Sequence, residues 1–177
     1  MKGSLFVAIF TVFIGGFFAT PLRADDTLAK FKGGIGVHPV SNVSGTANAD
    51  GSFPNVTRNI VRGVNPAGQV WVIDDLDARV STSGDIKIRG KGPILAGGDS
   101  AGRASGQMVF ATLICETAAP FTARNTSAAG VPLADNGDFK IDDVLTPLPA
   151  GGCASPMLLI RSTGGGTWFA VGILSPD

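Results

Sequence analysis

The chain has 177 residues with 14 Lys and Arg, 14 Asp and Glu and a single His, so its formal charge at pH 7 is zero. Without a basic run or stripe along the sequence, that balance argues against a nucleic-acid binder, which concentrates Lys and Arg on one face. One His, two Cys and one Glu, Glu116, also leave little material for a zinc centre or a histidine-based nucleophile, so no metal, cofactor or catalytic residue is assigned.

Residues 1–24 read as a secretory leader to be cleaved after Ala24: Lys2 gives a positive start, 5–19 is an uncharged apolar run, and Leu22-Arg23-Ala24 ends in a small residue. The run is shorter than the roughly 18 to 20 residues that span a bilayer, so the mature part is expected not to be membrane-embedded. No twin-arginine pair and no terminal cysteine mark the leader, which points to Sec-type export into the periplasm or the medium without lipid attachment.

The remaining segment, 25–177, loses Lys2 and Arg23 and carries a formal charge of −2. It is long enough for one domain with its own core and short for two. Asp and Gly mark turns, Val, Ile and Thr favour strands, and no stretch holds an apolar 3.6-residue period, so the domain is read as all-β.

Early in the domain, His38 stands beside Pro39 without a family signature around it, and its expected role is that of a half-exposed residue. Three-residue connections ending in glycine then recur: Ala49-Asp50-Gly51, Pro66-Ala67-Gly68, Thr82-Ser83-Gly84 and Asp135-Asn136-Gly137. Each fits a hairpin turn closed by a glycine bulge, where a type I turn leads into a left-handed residue. At the third copy the odd loop sets Val80 against Ile86 and Ala78 against Ile88. On the other face it sets Asp77 against Arg89 and Asp75 against Lys91. At the fourth, the same rule sets Leu133 against Phe139 and Val131 against Ile141, with Pro132 marking an edge or a bulge.

Between these copies, Trp71 falls in a strand, as does Trp168 further on, and both are expected in the core. Residues 96–106, small and polar, read as a mobile loop, and 146–152 cannot hold a regular strand. Segments 107–115, 156–161 and 167–174 read as strands, the apolar parts of the first two being covered on both faces. Cys115 and Cys153 are expected to form one disulfide in an oxidising compartment.

The count comes to nine or ten strands at antiparallel spacing, and an antiparallel β-sandwich is expected over a closed barrel because Pro93, Pro132 and Pro156 look like edge residues. The acids Asp74, Asp75 and Asp77, with Asp142 and Asp143, are the groups that could hold calcium or hydrolyse a glycoside, but adjacent strand residues point to opposite faces. N-x-S/T sequons begin at Asn42, Asn55 and Asn125. Together these features predict a secreted binding or structural module without catalysis, meeting an unidentified extracellular or envelope partner. The alternatives are a secreted hydrolase using Asp carboxylates and a β-barrel holding an apolar ligand.

Overall fold

The computed structural model describes residues 26–176; the predicted leader and its cleavage point lie outside the described residues. The strands of the described residues pair antiparallel, and these residues contain no helix. Its strands are β1 (Thr27–Gly36), β2 (Val40–Ser44), β3 (Asn55–Arg58), β4 (Trp71–Val72), β5 (Asp75–Ser81), β6 (Asp85–Lys91), β7 (Ile94–Leu95), β8 (Met108–Ile114), β9 (Arg124–Asn125), β10 (Val131–Pro132), β11 (Phe139–Val144), β12 (Met157–Ser162) and β13 (Trp168–Leu174). This is a finer division than the nine or ten expected, because several strands are only two residues long.

The β5–β6 hairpin has the predicted register: Val80 faces Ile86, Ala78 faces Ile88, Asp77 faces Arg89 and Asp75 faces Lys91. Period-two alternation decides which face is buried, since Leu76, Ala78, Val80, Ile86 and Ile88 turn inward and the charged residues between them stay exposed. Gly84 closes the turn at φ 90°, and its N–H donates to the Ser81 carbonyl at 3.1 Å. The Gly51 and Gly137 turns share this form, with φ of 82° and 88° and matching bonds to Asn48 and Ala134. Gly68 does not, because Pro66 and Ala67 are held against β13: Pro66 bridges Trp168 in parallel, and the Ala67 N–H donates to the Trp168 carbonyl.

The turn at Gly137 is tight, yet the strands it joins part at once. β10 pairs with β8 (Val131 opposite Val109), while β11 pairs with β6 (Phe139 opposite Gly90), so the expected pairs Leu133–Phe139 and Val131–Ile141 do not form. The principal sheet runs β10-β8-β12-β13-β1-β5-β6-β11, with β9 also on β8. Past the end of β11, Thr146 exchanges two 2.8 Å backbone hydrogen bonds with Asn125 of β9. The hydrogen-bonded circuit therefore closes, and the two layers expected of a sandwich are opposite walls of one sheet. Pro132 does lie at an edge, on the short β10 that branches from β8.

The walls enclose a single core that includes Phe31, Leu76, Ile86, Ile88, Leu113 and Leu158, each at most 2% exposed. Cys115 and Cys153 are joined in a disulfide, with 4.4 Å between their Cα atoms, tying the end of β8 to the loop before β12. Arg62 reinforces the same corner by donating to the Ile114 carbonyl at 3.0 Å and to the Ser155 carbonyl and hydroxyl, both at 2.6 Å.

Residues 96–106 are not a free loop. Leu95 bonds Arg103 and Gly102 through the backbone, and Ala104 is buried and bonded to the Asp135 carbonyl, because a glycine- and serine-rich sequence can satisfy its polar groups within successive turns. The β2–β3 ribbon stands apart, pairing only with itself and exposed at every residue.

Candidate functional site

Three segments distant in sequence converge on an open cleft of about 600 Å³: residues 67–71, the turns of 95–107, and the connection from β12 to β13. Its base is aromatic. Trp71 and Phe169 stack with ring centroids 4.1 Å apart and planes 10° from parallel, and each is only 4% exposed. Trp71 reaches this position because its strand is short and hydrogen-bonded between Val37 and β7, while Phe169 comes from the centre of the main sheet.

The walls are polar and uncharged. Gln69, Ser100, Ser105, Gln107, Ser162 and Thr167 supply the polar lining of the cleft. None of the lining residues titrates in the physiological range. Ser105 holds a left-handed backbone at φ 51° next to Gly106 at φ 64°, a conformation that costs a residue with a Cβ roughly 1–2 kcal/mol and is over-represented where a backbone is held for binding. Within the cleft, the Gly164 N–H donates to the Ser162 hydroxyl at 3.2 Å, which fixes the glycine-rich rim. The lining offers amide and hydroxyl donors and acceptors around recessed aromatic rings, suited to hydrogen-bonding a neutral molecule; no lining residue is a charged base or nucleophile activator.

The residues singled out from sequence fall elsewhere. Asp75 and Asp77 lie on the outer face of the main sheet opposite Lys91 and Arg89, in register as predicted, but no ion pair closes at those pairs. Asp142 forms one instead, with Lys87 at 3.3 Å, both side chains 74% exposed. At that exposure it contributes about 0 to 1 kcal/mol. Asp143 turns aside and accepts from the Ser127 N–H at 2.7 Å and its neighbour's N–H at 2.8 Å, so it braces the chain near the Thr146 closure. Asp74 is exposed beside Gly92. Among the described residues no three His, Cys, Asp or Glu side chains come close enough to share a metal ion.

Where carboxylates are perturbed, the direction is downward. Asp85 is lowered by the Ser83 hydroxyl and Asp50 by the Ser52 hydroxyl. Glu116 is lowered to about 2, first by the Arg124 guanidinium 2.9 Å away and then by the Thr122 N–H. A general acid requires the opposite shift.

His38 is exposed and its backbone carbonyl accepts from the Asn59 side chain. Trp71 and Trp168 are buried as expected, the latter donating its indole N–H to the Asn59 carbonyl at 3.0 Å. Asn42 and Asn55 are exposed on the ribbon, where Asn42 faces Thr57 and Ser44 faces Asn55. Asn125 is half-buried, accepts from the Thr112 hydroxyl at 2.6 Å and sits at the ring closure.

The cleft itself is not legible in the sequence. Its two small-residue segments are recognisable as connections, but the topology that brings Gln107 beside Ser162, at 3.5 Å, leaves no local pattern. No helix of the described residues is long and apolar enough to cross a membrane. In comparisons with known proteins, the chain matches no family model, no curated protein and no solved structure.

Proposed function

We propose that the chain is an exported binding module whose cleft takes a neutral, polyhydroxylated ligand of oligosaccharide type. The observation that carries this reading is an open cleft whose lining includes six uncharged hydrogen-bonding side chains and no charged one. Sugars present hydroxyl groups around their rings, and amide and hydroxyl side chains complement them. Export is supported by the disulfide, a bond that persists in oxidising compartments, and by the leader-like N-terminal sequence. A hydrolytic alternative lacks a paired-acid geometry, since Asp75, Asp77, Asp142 and Asp143 are spread over the sheet exterior and its closure rather than facing the cleft.

Titration with maltotriose, cellotriose and chitotriose, read by calorimetry and by amide shift mapping, tests the reading. One of the three is expected to move the amides of Ser105, Gln107 and Thr167, and Gln107→Ala to weaken it roughly tenfold. Affinity should be flat between about pH 5 and 8 because the lining carries no group that titrates there. Absence of shifts at these residues with all three sugars, or a strongly pH-dependent affinity, would overturn it.

A further inference from the structure

A second concavity lies where the sheet splits. β10 follows β8 and β11 follows β6, so between the turn at Gly137 and the pairing of β11 an open groove of about 610 Å³ is left, within the range of small-molecule sites. Its floor is hydrocarbon: Pro132, Leu133 and Ala134 on one side and Phe139 on the other. Leu133 and Phe139 are recessed, at 6% and 5% exposure. Phe139 lies there because Gly90, opposite it in register, has no side chain, and a Cβ at that glycine would collide with the ring.

The rim is cationic. Arg89, Lys91 and Lys140 border the groove and are all exposed, with Asp138 the one acid in its lining. None of the three cations forms an ion pair with a described residue, although Asp77 and Asp75 stand opposite two of them in the hairpin register. Sheet pairing adds to the concentration of charge, since Lys32, Asp77, Arg89 and Lys140 form one rung across β1, β5, β6 and β11. Cations far apart in the sequence thus become neighbours at the rim of an apolar groove, with Asp77 between Lys32 and Arg89 on the same rung.

We infer that this groove binds a single-chain amphiphile with an anionic headgroup, the hydrocarbon lying on Leu133, Ala134 and Phe139 and the headgroup meeting Arg89, Lys91 and Lys140. A hydrocarbon floor takes an alkyl chain, and unpaired cations at its edge select a carboxylate or phosphate terminus over an alcohol. The recessed Leu133 and Phe139 suit a single chain that enters the groove. Nucleic acid fits less well, because no exposed aromatic ring lies on the groove to stack a base. This site is separate from the sugar cleft, shares no lining residue with it, and stands or falls independently.

The test uses dodecyl phosphate below its critical micelle concentration, with dodecanol and inorganic phosphate as matched probes and anionic vesicles as a separate arm. Native mass spectrometry is expected to show one dodecyl phosphate per chain, and amide shifts to centre on Leu133, Ala134 and Phe139. Dodecanol should bind roughly tenfold more weakly and phosphate should leave those amides unmoved. Ala134→Trp, at an exposed position, should block the groove, and Arg89→Gln with Lys91→Gln and Lys140→Gln should weaken binding roughly tenfold while circular dichroism stays unchanged. Equal affinity for dodecanol, unchanged binding by folded Ala134→Trp, or association with vesicles but not with the monomer would each overturn the assignment.

Discussion

Gly36 shows how little room some positions have. A Cβ there would run into the backbone oxygen of Trp71 and lie 2.7 Å from the Val72 Cα, atoms that cannot rotate away as a side-chain end can. Gly36→Ala should therefore cost about 2–3 kcal/mol, measurable as a lower urea midpoint with an unchanged slope. Gly84 is a milder case: its left-handed backbone penalises any Cβ, and Gly84→Ala should cost about 1–2 kcal/mol. Glu116 adds a pH dependence. Its carboxyl is depressed from 4.5 to about 2 by Arg124, so the pair stabilises the fold fully above pH 4.5 and progressively less as pH falls through about 2. Thermal melts across that window should show a steeper acid loss for the native protein than for Glu116→Gln, and curves of equal slope would refute the pairing.

Among the elements, the β5–β6 hairpin was the most legible in the sequence. Its loop length, its glycine and the alternation from Leu76 to Ile88 all demand one register, and nothing outside the hairpin competes with it. The turn at Gly137 carries similar local chemistry, and there the inference to a paired hairpin fails. A turn specifies only its own geometry, whereas the partners of β10 and β11 are chosen by burial along the whole strand: Ile141 faces Ile88, and Val131 faces Val109. The Cys115–Cys153 bridge was also legible, from cysteine count and expected compartment. It closes a segment with a sequence separation of 38, and its reduction should destabilise the protein by about 4 kcal/mol in denaturant titrations with and without reductant. The cleft was illegible for a physical reason: Gln69 and Gln107 from two connections and Ser162 from the end of β12 are ordinary polar residues, and only the assembled sheet brings them to one cleft.

For the whole molecule, the closing contact between Asn125 and Thr146 makes the sheet a ring instead of an open layer. Asn125 also accepts a hydrogen bond from the hydroxyl of the fully buried Thr112, so Asn125→Ala should cost about 1–3 kcal/mol. The Asn125 side chain is half-buried at the ring closure, which leaves little room for a sugar on its amide nitrogen, whereas Asn42 and Asn55 meet solvent. Expression in a glycosylating eukaryotic host should then give intact masses with glycans at Asn42 or Asn55 and none at Asn125, and an Asn125 glycopeptide would contradict the placement.

The β2–β3 ribbon has a different standing from the ring. Its base is pinched shut by the Asn59 N–H on the Pro39 carbonyl at 3.0 Å and the Asn59 side chain on His38, and beyond that pinch its strands pair with no other strand. Arg58 at its base donates to the Pro66 carbonyl at 3.1 Å, so exchange of the tip beyond Arg58 for a foreign peptide of similar span should leave the main sheet in place, which makes the ribbon a grafting point for epitopes or affinity tags.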